Sequence, residues 1–176
     1  MKSRMLHEVD GQRTFALVFD TGDEVMASLK AFAGRERLSA AQFSAIGAFR
    51  SAVLGYFDWE TKTYLKRAVD EQVEVASLTG DVALSDKATD SRATDSRTTD
   101  SRTTDSRATD SRATDSRAPA IHIHAVLGRR DTSALAGHLL EAHVRPTLEV
   151  VLVESPAHLC KRHDADSGLA LIDVSS

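Results

Sequence analysis

The chain has 176 residues and a net charge of −4 at pH 7, from 22 Lys and Arg against 26 Asp and Glu. A mildly acidic protein repels phosphate backbones, so this charge argues against a dedicated nucleic-acid-binding surface. The single cysteine, Cys160, excludes an intramolecular disulfide and a zinc cage made of several thiolates.

Length and hydrophobic content are typical of one ordinary domain. The hydrophobic fraction of 41% is enough to build one core. No apolar run approaches the length of a membrane span, and the N-terminus becomes acidic at Glu8, too early for a signal peptide. We therefore expect a soluble, cytoplasmic protein that makes no membrane contact.

Residues 88–117 form a low-complexity tract of six successive copies of Thr/Ala-Thr-Asp-Ser-Arg. The copies contain no large apolar side chain and cannot offset the entropy of ordering, so we expect a disordered loop inserted at a hairpin tip. Two interpretations stay open: a neutral expansion without function, and a phosphorylatable or adhesive linker. If the tract disturbs the strand that follows it, the candidate metal site described below suffers first.

The first predicted elements are a strand and a helix. Residues 14–20 are a short apolar run with two aromatic rings, which is typical of a strand buried on both sides. Capping oxygens in residues 20–23 precede an amphipathic helix that packs on a sheet and ends at residues 34–37. The apolar positions at helical spacing are Val25, Met26, Leu29, Phe32 and Ala33.

Further strands are predicted along the rest of the chain, and an antiparallel meander is their simplest arrangement. These strands cover residues 42–49, 51–58, 64–68, 74–84, 121–127, 133–140 and 147–154. Turns are predicted at residues 58–62 and 128–132. Residues 157–176 are a polar C-terminal tail with an apolar patch at 169–172 that docks on the core.

His122 and His124 are the most informative residues, because side chains two apart on a strand point to the same face, about 6.6 Å apart. Neutral imidazole is a common ligand of Zn²⁺ and similar ions, but a site needs a third ligand. The nearest candidate is His138. If the turn centres on Asp131, His138 lies opposite His124 on the same face, whereas a slip of one residue moves it to the other face. Core or surface histidines without metal are the alternative interpretation.

Glu141 and His143 are close enough in sequence to act as extra ligands or as hydrogen-bond partners of ligands. Glu141 is also our candidate general base. Residues of this kind are more often simply part of the polar face of a strand.

Two other patterns suggest chemistry. Cys160 with His158 and His163 would supply a nucleophile and a base, although a thiol in a polar tail is more typical of an incidental cysteine. Residues 58–60 place two carboxylates around Trp59, which fits a sugar or acid–base site and fits a hairpin tip equally well.

Five blocks of sequence follow one another between Arg4 and Glu154. They are residues 45–52, 55–58, 75–82, 121–128 and 137–141. These blocks resemble, in order, the plants and prokaryotes conserved (PPC) domain family. The resemblance implies an α/β domain of the α+β type, with a mixed, largely antiparallel sheet flanked by helices, that assembles as a homotrimer. It also implies zinc or another divalent metal on His122, His124 and His138.

Stand-alone bacterial members of the family are often labelled as DNA-binding proteins. The Arg-Gly-Arg-Pro core of the AT-hook, which gives plant relatives their DNA affinity, is absent here. Three functions stay open on the sequence. The first is a trimeric binding or assembly protein with a metal site and a regulatory role. The second is a metal-dependent enzyme with a fourth coordination position for water or substrate. The third is DNA binding through Arg129 and Arg130, which a trimer would present three times.

Overall fold

The computed structural model describes residues 1–85 and 117–175, and in this part of the chain one helix accompanies nine strands of a single sheet. The helix is α1 (Val25–Glu36). The strands are β1 (Lys2–Val9), β2 (Gln12–Asp20), β3 (Ala40–Asp58), β4 (Thr63–Val69), β5 (Val73–Ser85), β6 (Ala118–Gly128), β7 (Ala134–Glu154), β8 (Cys160–His163) and β9 (Ala170–Asp173).

The strand order is β1-β2-β7-β3-β5-β8-β9, with β4 paired to β3 and β6 paired to both β5 and β7. All described pairs are antiparallel except β5 with β8. The α+β class with a largely antiparallel sheet is therefore confirmed. The predicted meander is wrong, because β7 lies between β2 and β3. The predicted flanking by several helices is overstated, since α1 is the single helix of the described residues. That helix lacks the length and hydrophobicity that crossing a membrane requires.

Four strands pair in a closed cycle, because β3 and β6 each pair with both β5 and β7. Fully buried side chains of this cycle include Leu78, Ile123, Leu127 and Leu139. Helix α1 packs against β6 and β7 and buries Val25, Leu29, Phe32 and Ala33. The buried side chains of the cycle and of the helix form one hydrophobic core. Burial of each large apolar side chain stabilises the fold by about 1.5–3 kcal/mol.

The first predicted strand, which is β2, and the helix lie where they were predicted, with two differences of detail. Strand β2 buries Phe15, Leu17 and Phe19 but exposes Val18, so it is covered on one face and not on both. The helix is capped by the carboxylate of Glu24, which accepts hydrogen bonds from the backbone N–H groups of residues 26 and 27 at 3.1 and 2.6 Å.

Two pairs of predicted strands are each one long strand. Residues 42–49 and 51–58 both belong to β3, and the segments predicted at 133–140 and 147–154 both belong to β7, which begins at Ala134. Bulges bend β3 without ending it, and Gly47 adopts φ +150° at one of them. A side chain at Gly47 would collide with the backbone of Thr147, so only glycine lets β3 and β7 stay paired there.

The sequence analysis did not predict β1, β8 or β9. Strand β1 is exposed along its whole length at one edge of the sheet. The C-terminal tail contributes β8, which pairs in parallel with the end of β5, and β9, which covers β8. The predicted docking of the apolar patch at 169–172 on the core is wrong, because among the described strands β9 pairs only with β8 and leaves Leu171 and Ile172 47% and 45% exposed.

The predicted disordered loop at 88–117 lies outside the described residues, apart from Arg117. Its flanks are well defined, because Ser85 lies directly opposite Ala118. From this pair to Leu78 opposite Ala125, the register of β5 and β6 runs without a shift. The strand that carries the histidines is therefore intact next to the tract.

Replacing residues 86–117 by Asn-Gly should leave the fold in place. Ser85 and Ala118 then become the ends of a two-residue hairpin, for which Asn-Gly is the favoured turn. We expect the free energy of unfolding to stay equal or rise by up to about 2 kcal/mol, because the closed loop is shorter. Urea denaturation of both proteins measures this, and a Gly-Ser tract of the original length separates length from sequence. A variant with lower stability would show that the tract supports the fold.

Candidate metal centre

The hairpin between β6 and β7 sets the geometry of the candidate site. Its turn is closed by the N–H of Arg129, which donates to the carbonyl of Ser133 at 2.8 Å, and it centres on Asp131. In the resulting register His124 lies directly opposite His138. The predicted register is confirmed, and both rings stand on the same face of the hairpin.

Strand β6 separates its two faces clearly. Ile123 and Ala125 point into the core with 0% and 2% exposure, while His122 and His124 point away from it. On β7 the residue after His138, Leu139, is fully buried. These core side chains hold the two strands in place and so aim the imidazoles at one another.

The three imidazoles His122, His124 and His138 converge. One ligand nitrogen from each ring lies within 4.8 Å of the other two, and the ring centroids are 4.9 to 5.4 Å apart. Three atoms at that spacing have a common point no more than about 2.8 Å from each, and Zn–N bonds are about 2.0–2.1 Å long. Small side-chain rotations are enough to reach bonding distance.

His138 carries an observation that fits a metal ion. Its Nδ1 is buried and has no hydrogen-bond partner in the described residues. A buried polar atom left unpaired costs about 1–3 kcal/mol, so such atoms need a partner. The donor set and this unpaired nitrogen together fit a borderline divalent ion.

The electrostatics favour the neutral form of His124 and His138, which is the form that binds metal. Burial lowers the pKa of His138 to about 4, helped by the positive charges of His122, His124 and Lys161. Burial, with a smaller effect of His122, also lowers the pKa of His124. Protons therefore compete weakly for these two nitrogens at neutral pH.

Asp81 and Lys161 adjoin the cluster, and the sequence analysis missed both. Asp81 lies opposite His122 across β5 and β6, with its Oδ2 3.4 Å from His122 Nδ1. The Nζ of Lys161 on β8 donates to Asp81 Oδ1 at 2.5 Å. Burial alone would raise the pKa of Asp81, but the hydrogen bonds from His122 and Lys161 bring it below its ordinary value. The pairing of Asp81 with His122 depends on a register that begins at Ser85 and Ala118, which the sequence does not mark, and no local signal marks Lys161.

Aromatic rings border the cluster on another side. The ring of Tyr64 on β4 lies 4.9 Å from that of His138, centroid to centroid, and Phe57 packs edge-on against Tyr64 at 5.4 Å. Burial raises the pKa of Tyr64, so its hydroxyl keeps its proton. This wall limits the approach of water to His138 from the side of β4.

Glu141 and His143 contact one another and are not part of the convergent set. Their carboxylate oxygen and Nε2 lie 3.2 Å apart. The role of Glu141 as a general base, and those of both residues as extra ligands, stay predictions.

The two other predicted patterns are Cys160 with its neighbouring histidines and residues 58–60, and both contain residues with structural partners. The thiol of Cys160 contacts the guanidinium of Arg117, and His163, three residues further along β8, points to the opposite face. Asp58 closes the turn between β3 and β4 by accepting from the N–H and the hydroxyl of Thr61, both at 2.8 Å. The ammonium of Lys62 lies over the ring of Trp59, so this turn is held by local contacts.

Comparison with known proteins gives a consistent result. The model of the Plants and Prokaryotes Conserved (PCC) domain matches residues 6–101 and 107–156. A metal-containing protein from Archaeoglobus fulgidus is 31% identical, covers 98% of this chain and 99% of its own, and superposes with a TM-score of 0.70. A search of curated proteins found no match.

Two further solved structures share the fold at lower identity. A plant- and prokaryote-conserved (PPC) protein from Pyrococcus horikoshii is 22% identical over 99% of this chain and 96% of its own, with a TM-score of 0.71. A "putative DNA binding protein" from Bacteroides thetaiotaomicron is 22% identical over 99% of both chains, with a TM-score of 0.72.

In the metal-free protein, the free energy of unfolding should fall as the pH is lowered from about 6.5 to about 4. His138 has an ordinary pKa of 6.5 when unfolded and about 4 when folded. In that interval the unfolded chain binds a proton that the folded chain does not, which favours unfolding. Urea denaturation in a pH series measures the decline, and His138→Gln should remove part of it. An NMR titration of His138 with a midpoint near 6.5 would contradict this account.

Proposed function

Because the chain belongs to the Plants and Prokaryotes Conserved domain family, we propose that it is a homotrimeric binding and assembly protein that holds one divalent metal ion per chain. The ligands are His122, His124 and His138. The observation that carries the proposal is the convergence of three imidazoles, one of which has a buried nitrogen without a partner in the described residues. The 31% identical Archaeoglobus relative is described as metal-containing, which supports the proposal.

The chemistry of the ligands favours zinc. Imidazole nitrogens suit Zn²⁺ and its neighbours in the transition series, whereas Mg²⁺ and Ca²⁺ prefer oxygen ligands. The convergent set in the described residues contains three nitrogens and no carboxylate. Three protein ligands leave a fourth position of a tetrahedral ion open.

An apolar face of the sheet supports the homotrimer. Ile46 on β3, Val151 on β7 and Val18 on β2 are 64%, 50% and 38% exposed. They line one shallow depression of about 490 Å³ that crosses the neighbouring strands of the sheet. Contiguous exposed apolar surface of this kind marks an interface. We assign it to other copies of this chain, as the family resemblance implies.

Direct DNA binding has less support. Arg129, one of the two basic residues of the β6–β7 turn, is engaged by Glu71, with its Nη2 2.7 Å from the carboxylate oxygen. Glu74 lines the same small depression as Arg129 and Arg130. The acidic side chains reduce the positive potential of this turn, which a phosphate backbone would need.

A metal-dependent enzyme is the second candidate, favoured by the exposure of His124 at the edge of the cluster. A fourth ligand position that faces solvent is the arrangement in which zinc enzymes hold water or substrate. Glu141 would be the general base in this case, although its carboxylate lies beside His143. A fourth ligand that is water or a small molecule, and not a side chain, in a metal-bound crystal structure would favour this candidate over a purely structural ion.

The purified chain should contain one zinc ion per polypeptide by inductively coupled plasma mass spectrometry. His122→Ala and His138→Ala should each weaken zinc binding by more than about 100-fold, because loss of a ligand exceeds the 10–100-fold effect of losing a ligand's hydrogen-bond partner. His7→Ala, on the exposed strand β1, is the matched control and should bind as the wild type does. Unchanged zinc content in His122→Ala would refute the site.

Light scattering coupled to gel filtration should give a mass of about 57 kDa, three times the 19.1 kDa of one chain. Ile46→Asp should dissociate the trimer, because it places a charge in the centre of the apolar face. Val174→Asp changes an equally apolar residue that is 93% exposed near the C-terminus and should stay trimeric. A monomeric wild-type protein would rule out the assembly.

A further inference from the structure

Lys161 is a buried lysine in the C-terminal segment, beyond residue 156 where the family match ends. Its exposure is 6%, and its Nζ donates to Asp81 Oδ1. Taking an ammonium out of water costs several kcal/mol unless a carboxylate and good geometry compensate for it. The position of Lys161 is therefore specified by Asp81.

Asp81 connects this lysine to the histidine cluster. While Oδ1 accepts from Lys161, Oδ2 lies 3.4 Å from the Nδ1 of His122. Three strands supply the three groups: β8 the ammonium, β5 the carboxylate and β6 the imidazole. The register of β5 and β6 places Asp81 directly opposite His122. Lys161, whose backbone pairs with Ser85, reaches Asp81 through its side chain.

We propose that Asp81 and Lys161 are positioning residues of the metal site, an inference that rests on the proposed function. Asp81 accepts from Nδ1–H of His122 and so leaves Nε2 unprotonated and able to bind a metal ion. Lys161 holds the Asp81 carboxylate in the orientation that this requires. When one ring nitrogen of a histidine donates a hydrogen bond, it keeps the proton and the other nitrogen is left to bind metal. Histidines that bind metal commonly donate to a carboxylate in this way.

The C-terminal hairpin of β8 and β9 thereby becomes part of the site. Without Lys161, the carboxylate of Asp81 loses its strongest neighbour and is free to turn away from His122. The ring of His122 is 44% exposed, so the neighbouring rings of His124 and His138 would then be left to orient it. A role of the Lys161–Asp81 pair in anchoring the tail alone would change stability but neither the tautomer of His122 nor the intrinsic zinc affinity.

The first readout needs no metal. In the ¹⁵N spectrum of histidine-labelled, metal-free wild-type protein, His122 should be protonated on Nδ1. In Asp81→Asn the Nε2-protonated form should increase. A wild-type ring protonated on Nε2 would overturn the proposal without any variant having to fold.

The second readout is the zinc dissociation constant, measured by competition with a chelating dye on folded protein. Asp81→Asn should bind about 10–100-fold more weakly, the usual effect of losing a ligand's hydrogen-bond partner. Lys161→Met should shift affinity in the same direction, and Lys161→Arg should recover part of the loss. Arg162→Met is the matched control, because Arg162 is 70% exposed and pairs with Asp173 instead.

The two proposals fail in different ways. Zinc binding by the wild type that does not need His122 would refute the proposed function. Zinc binding that needs His122 but stays within about twofold in Asp81→Asn, against the 10–100-fold expected, would overturn the positioning role alone.

Discussion

The pairing of His124 with His138 across the β6–β7 hairpin is the constraint on which the candidate site depends. Side chains alternate between the two faces of a strand, so a shift of one residue would send His138 into the core and Leu139 to the surface. Leu139 and Ile123 are fully buried, and the free energy of that burial opposes such a shift. The core thus fixes the geometry of the three candidate ligands.

Burial has a second effect on the same histidines. It removes His138 from water and leaves its Nδ1 without a partner in the described structure, which destabilises the metal-free protein. It also lowers the pKa of His138, so that protons are weak competitors for the site near neutral pH. An ion held at the common point would give Nδ1 a partner, and the lowered pKa would reduce competition from protons for that ion. The unpaired nitrogen and the proposed affinity of the cluster for a metal ion therefore have one origin, the burial of His138.

The parts of this structure that local patterns encode were accessible from the sequence. The strand-like segments 74–84 and 121–127 matched β5 and β6, turn residues marked the bend around Asp131, and the spacing of His122 and His124 placed two rings on one face. Long-range pairing was not accessible. Nothing local shows that β7 inserts between β2 and β3, that bulges keep β3 continuous, or that Lys161 in a polar tail is buried against Asp81.

The most direct test is an anomalous difference map at the zinc edge from crystals of the 176-residue chain grown with zinc. We expect one peak per chain, bonded to His122, His124 and His138 at about 2.0–2.1 Å. A map with no peak among these rings, and with His138 turned toward the other face of the sheet, would contradict the account.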